Sequence, residues 1–151
     1  MITIIQRVTQ AKVSVAGVEL GCIDQGIMAL VAVEPDDTQQ QADRLLERII
    51  NYRIFADQDG KMNLSLKDIN GGLLIVPQFT LAANTDNGNR PSFTRSASPE
   101  WGRTLFDYFK QQAISHFPGS QFGQFGADMQ VALINDGPVT FTLRCQAKAL
   151  P

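Results

Sequence analysis

Hydrophobic and polar residues alternate from the first positions of the chain. Ile2, Ile4, Arg7-Val8, Val13 and Val15 follow the short period of β-strands. Ala16-Gly17 is a turn signal, so Val13–Val15 and Val18–Ile23 are expected to form a hairpin. Gln25-Gly26 marks another turn. The run Ile27-Met28-Ala29-Leu30-Val31-Ala32-Val33 is continuously apolar, as in a strand covered on both faces. The period then lengthens. Pro35-Asp36-Asp37-Thr38 resembles a helix entry with Asp37 or Thr38 as N-cap. Ala42, Leu45, Leu46, Ile49 and Ile50 make one helical stripe, with Arg44, Glu47 and Arg48 off it.

Arg53-Ile54-Phe55 is expected to be a short strand, and Asp57–Lys61 a polar turn without the ligand pattern of an EF-hand. Asn70-Gly71-Gly72 is a turn before the buried strand Leu73–Val76. Residues 83–97 read as a polar loop. Ser98-Pro99-Glu100 opens a second helix, with Ser as N-cap and Pro at N1, and Pro118-Gly119 ends it. Gln124–Ile134 and Val139–Cys145 are expected to be two strands joined by Asn135-Asp136-Gly137-Pro138. With two main helices and no βαβ alternation, the class is α+β with a mainly antiparallel or mixed, barrel-like sheet. Residues 1–145 are expected to form one domain, and 146–151 a disordered tail.

Composition narrows the function. The chain has 151 residues and a net charge of −2, which is no signature of nucleic-acid binding, so contact with RNA would need a local basic patch. Arg44, Arg48, Lys61, Arg90 and Arg95 are the candidates. Strand pattern begins at Met1 with no basic leader, and no apolar run approaches the length of a membrane span, so a soluble cytoplasmic protein is expected. Cys22 and Cys145 are expected to be buried small hydrophobes. One histidine, His116, and two scattered cysteines argue against a zinc site and against a Ser-His-Asp or Cys-His enzyme. No metal or cofactor is expected.

Two polar stretches end apolar runs: Pro77-Gln78-Phe79-Thr80-Leu81 and Asn135-Asp136-Gly137-Pro138-Val139-Thr140. Gln78 and Thr80 either bond locally to backbone or belong to a site. Thr80 as a nucleophile would need a base, and none lies near it in sequence. A site lined by backbone donors for an oxyanion needs none. Gly137-Pro138 is either a hairpin corner or a rigid step exposing carbonyl oxygens.

Together the two stretches resemble the Ser-Gln-Phe-Thr-Leu and Asn-x-Gly-Pro-Val-Thr motifs of the D-aminoacyl-tRNA deacylases. Gln6-Arg7-Val8, Tyr52–Phe55, Lys61–Leu64, Arg90–Phe93 and Phe125–Val131 agree in order and spacing. The resemblance implies a metal-free homodimeric enzyme that hydrolyses the ester of D-aminoacyl-tRNA, and of glycine mischarged on tRNA. It implies Gln78, Phe79 and Thr80 as the catalytic segment. Gly137 and Pro138, joined by a cis bond and supported by Arg7, would reach from the other subunit to exclude L-amino acids. Aminoacyl-tRNA and a second copy are then the partners, with neither membrane nor DNA involved. Pro77 departs from the family serine. A related animal-type group, acting on an L-amino acid mischarged on tRNA, has proline there, but with alanine at the position of Phe79 and a trans Gly-Pro. Phe79 and Arg7 align this chain with the D-specific group. Two other classes would fit the residues without the resemblance: a dimeric RNA-binding module, and an acyl hydrolase using Thr80 on a non-RNA ester.

Overall fold

The computed structural model describes residues 1–147; the expected disorder of residues 148–151 lies outside the described residues. Strand β1 (Ile2–Val15) organises the sheet. One of its edges is shared in turn by two strands: β3 (Gly26–Ala32) pairs with residues 2–8 and β2 (Val18–Ile23) with residues 11–15. Its other edge pairs along its length with β8 (Gln130–Arg144), all antiparallel. The sheet continues from β3 to β6 (Gly72–Pro77) and β7 (Gln121–Phe122), now in parallel. A small ribbon of β4 (Phe55–Ala56) and β5 (Met62–Leu64) stands apart.

The mixed α+β class is as expected, but the connections are not all meanders. Helix α1 (Gln39–Asn51) lies in the crossover from β3 to β6, and α3 (Pro99–His116) in that from β6 to β7. The sequence hides both crossovers because the ribbon and a third, short helix interrupt the strand–helix–strand rhythm. That helix, α2 (Leu66–Ile69), has four residues, too few to show a period, and is closed by a Ser65/Asp68 capping box. Parallel pairing brings Gly26 and Gly72 backbone to backbone. A Cβ on Gly26 would fall 1.9 Å from the Gly72 carbonyl oxygen, so no side chain fits there.

The apolar strands are covered on both faces, as the run at 27–33 predicts. Ile27, Ala29, Leu73 and Ile75 pack under Leu45, Ile49 and Phe109 of the helices. Met28, Leu74 and Val76 turn the other way, onto Val8, Ala11, Val13 and Ile23 of the curled β1–β2 hairpin. A Cβ on Gly21 of β2 would lie 3.0 Å from Gln121 Cβ of β7, which shows how nearly the sheet closes into a barrel.

Local chemistry sets the helix ends. Thr38 is the N-cap of α1, and its backbone N–H donates to Gln41 Oε1 at 2.9 Å in a capping box. Asp37 does another job: its carboxylate accepts from the Met1 ammonium and, at 2.6 Å, from Glu34 N–H. Burial pushes the Asp37 carboxyl up from its ordinary range, and these donors oppose the shift. Thr38→Ala should therefore lower stability by about 1 kcal/mol, read from the urea midpoint.

Several expectations need correction. Cys145 is buried but Cys22 is exposed, because it sits on the outward face of β2. The strand expected at 53–55 begins only at Phe55, since Arg53 turns outward to bond the carbonyl and side chain of Asn63. Residues 124–129 are not strand. Most important, 130–144 is one strand and not a hairpin: both halves pair with the same partner, β1.

Candidate active site

The Asn135–Thr140 segment is a bulge within β8. Gln6 faces Thr140 and Val8 faces Asn135, so residues 136–139 are all accommodated opposite the single residue Arg7. The excess chain is pushed out as a corner carrying Gly137 and Pro138, whose peptide bond is cis. Side chains close the base of the loop. Asn135 Nδ2 donates to Thr140 Oγ1 at 2.8 Å, and Val139 N–H to Asn135 Oδ1 at 3.1 Å. Arg7 holds the corner from beneath. Its Nε donates to the Asp136 carbonyl at 3.1 Å, with the Asp136 carboxylate 3.5 Å away, and its Nη1 to the Ile54 carbonyl at 2.9 Å. Gly137 has φ +127°, and a Cβ there would meet Val139 Cγ2 at 2.8 Å and Arg7 Nη2 at 3.0 Å. Only glycine suits that position.

Gln78, Phe79 and Thr80 follow β6 directly. Gln78 N–H still bonds the Val31 carbonyl at 2.8 Å, and the chain then tightens into a 3-10 turn over Phe79–Ala82. As first residues of that turn, Phe79 and Thr80 present N–H groups with no partner inside it. Gln78 Nε2 donates to Thr80 Oγ1, which fixes both polar side chains locally. Phe79 is 60% exposed and leans on Phe93 of the 83–97 loop, ring centroids 5.4 Å apart. Pro77 is accommodated by the strand pattern. Ile75 C=O faces Gly123 N–H and Gln78 N–H faces β3, so residue 77 turns its missing donor to the β7 side, past that short strand's end.

Beside Gln78 and Phe79 opens an apolar cavity of about 190 Å³, walled by Val31, Val33, Ala97, Phe106 and Phe125. Ser96 also lines it, and the Ser96 Oγ is buried without a hydrogen-bond partner. Unpartnered N–H groups, an apolar recess and one unspent hydroxyl suit a ligand with a flat ring and a reacting carbonyl. His116 is elsewhere, in a groove of the helical face with Asp43, Glu47 and Lys67, and supplies no base to Thr80.

The structure thus assembles two half-sites, Arg7 with Gly137-Pro138, and Gln78 with Phe79 and Thr80. It does not join them within one chain. Arg7 pairs with Ile27 at one end of β3, while Gln78 follows the Val31 end. Four residues of strand separate them, about 13 Å at the usual rise. They also lie on different sides, one beyond β1 and the other beyond β3.

A family model described as D-Tyr-tRNA(Tyr) deacylase matches residues 4–144. The chain belongs to this family of enzymes. A Pseudomonas putida protein named D-aminoacyl-tRNA deacylase is 60% identical over 141 residues, 93% of this chain and 97% of that one. A relative of the same name from Hahella chejuensis is 55% identical over 146 residues, covering 97% of this chain and all of its own. Among solved structures, one titled c-Myc DNA Unwinding Element Binding Protein has TM-score 0.92 and 36% identity, covering 97% of this chain and all of that one. A probable eukaryotic D-amino acid tRNA deacylase has TM-score 0.81 at 16% identity, over 94% of this chain and 97% of its own, and shares the fold. Both half-sites lie inside the span matched by the deacylase family model.

Proposed function

We propose that this deacylase-family chain hydrolyses the ester between a D-amino acid, or glycine, and the 3′ end of tRNA, as a cytoplasmic homodimer whose two active sites are each built from both subunits. The observation that carries this is the separation of the half-sites within one chain, which a second copy can remedy. The partner subunit's Gly137 and Pro138 would lie over Gln78, Phe79 and Thr80.

The exposed surface supports such pairing. β8 has β1 as its one strand partner among the described residues and leaves Val131, Ile134 and Phe141 exposed, with Ile134 at 51%. An apolar edge strand of this length is usually covered. Phe79, so exposed in the single chain, would gain cover from the same partner.

In the proposed reaction the N–H groups of Phe79 and Thr80 stabilise the oxyanion that forms as water attacks the ester carbonyl. The ester sits on the terminal nucleoside, so its base must lie within a nucleoside's length of those donors. The apolar cavity beside Phe79 is the recess within that reach, and bases stack readily on aromatic walls. The terminal ribose 2′-hydroxyl helps to activate water, which makes RNA the substrate and not DNA. Thr80 positions Gln78 and is not acylated. Chirality is judged by exclusion: an L side chain collides with the corner, whereas a hydrogen or a D side chain passes.

The test compares D-Tyr-tRNA, L-Tyr-tRNA and a free D-Tyr ester. Turnover of the first alone is the expected result, with no acyl-Thr80 species detectable by mass spectrometry. Lack of turnover on D-Tyr-tRNA would sink the proposal, and comparable turnover of the free ester would favour a simple acyl hydrolase.

A further inference from the structure

Two walls of the apolar cavity beside Phe79 are Phe106 and Phe125. Both residues also wall a second groove, about 350 Å³, between α3 and residues 121–125. Arg103 and Lys110 project from α3 along it. They are seven residues apart, about 10.5 Å along the helix axis and within about 20° of the same face.

Each cation lies over a ring of the facing segment. The Arg103 guanidinium carbon is 5.0 Å from the centroid of Phe125, and Lys110 Nζ is 5.2 Å from that of Phe122. Arg103 also overhangs Gly126, where a Cβ would come 3.4 Å from Nη2, at the rim of the apolar cavity. Resting on a ring orients a cation without consuming its N–H donors. Arg7, Arg48, Arg53 and Arg144, by contrast, donate to oxygens of the fold: Arg7 to the Asp136 and Ile54 carbonyls, Arg48 to the Arg144 carbonyl, Arg53 to Asn63 and Arg144 to Glu34. Arg103 and Lys110 take part in no ion pair among the described residues.

We infer that this groove carries the phosphodiester backbone of the substrate's unpaired 3′ end, with Arg103 and Lys110 as its phosphate contacts. The inference rests on the function proposed above and supplies the local basic surface that a chain of net charge −2 requires. Cations interleaved with aromatic rings are the usual platform for a single strand, and the groove adjoins the recess assigned to the terminal base, sharing Phe106 and Phe125 with it. Asp107 stands between the two cations on the same face and lines the groove. It weakens the local positive field, which keeps affinity modest and favours release of the deacylated product.

The experiment compares kcat/KM on D-Tyr-tRNA with kcat/KM on the D-tyrosyl ester of adenosine, which carries the same scissile bond and no phosphate. The ratio of the two should fall roughly tenfold in Arg103→Gln/Lys110→Gln, chiefly through KM on tRNA. The dependence of log K on log salt for deacylated tRNA should flatten by about 1.4, or about 0.7 for each lost phosphate contact. Asp107→Asn should raise the ratio. Lys67→Gln, which removes one positive charge on α2 beside the far end of α3, should leave it as it is. An unchanged ratio in the double variant overturns the assignment, as does an equal fall in Lys67→Gln, which would reduce the effect to net charge. Failure of the wild type on both substrates would instead sink the deacylase function, and this groove's role with it.

Discussion

Gly137→Ala is expected to lower kcat/KM on D-Tyr-tRNA about 100-fold and to narrow the preference for D over L substrates. The added methyl has nowhere to go. It would lie 2.8 Å from Val139 Cγ2, 3.2 Å from the Val139 nitrogen and 3.0 Å from Arg7 Nη2, at a φ of +127° that L residues rarely adopt. Arg7 cannot simply swing aside, because its Nη1 is tied to the Ile54 carbonyl. The corner must move instead, and a displacement on the order of 1 Å in a positioning element commonly costs 10²-fold in rate. The bulge lies at the edge of the sheet and its flanking ladder with β1 is long, so the fold should survive. Steady-state kinetics on both enantiomers, with thermal unfolding as a control, measure the effect. Unchanged rate and chirality in this variant and in Pro138→Ala would reduce the bulge to a turn.

Mixing two inactive variants should restore activity. In a heterodimer of Gly137→Ala and Gln78→Ala subunits, one site combines an intact Gln78–Thr80 segment with an intact corner, and the other carries both lesions. Random assortment makes half the dimers mixed, each with one good site of two, so about a quarter of wild-type activity is expected. Gln78 is a suitable lesion because its side chain orders Thr80 while its backbone bond to Val31 does not depend on the side chain. Activity measured after unfolding and refolding the variants together, against each refolded alone, gives the answer. If the half-sites belonged to one chain, the mixture would be no better than its parts. Size-exclusion chromatography with light scattering gives the subunit count independently.

Much of this architecture was legible in the chain itself. The alternation in β1 and β2 with Ala16-Gly17 between them, the stripe Ala42–Ile50, and the Ser98-Pro99 entry of α3 are local signals, set by neighbouring residues. The unbroken apolar run of β3 correctly implied cover on both faces. Residues 130–144 carry a local hairpin signal because Asp-Gly and Pro are strong turn formers. The fourteen residues of β1 outweigh them, offering a continuous edge that re-pairs beyond the interruption. Helix α2 escaped notice for want of length. The exposed position of Cys22 depends on which face of β2 turns outward, a matter of register and not of composition.

The site divides along the same line. The residues themselves singled out Gln78, Thr80 and Gly137-Pro138 but left each with two readings; motif resemblance added Phe79 and Arg7 and gave all six their roles. It did not point to Ser96, Arg103 or Lys110, whose neighbours in space are Phe79, Phe125 and Phe122 from other parts of the chain. By itself, then, the sequence determined the elements, their caps and the two polar segments, because those follow from interactions between residues a few positions apart. Tertiary structure decided that residues 136–139 bulge from one strand above Arg7, and that the corner lies about 13 Å along β3 from the Gln78–Thr80 turn. Strand register sets those relations, and register comes from pairing between distant segments that no local pattern encodes.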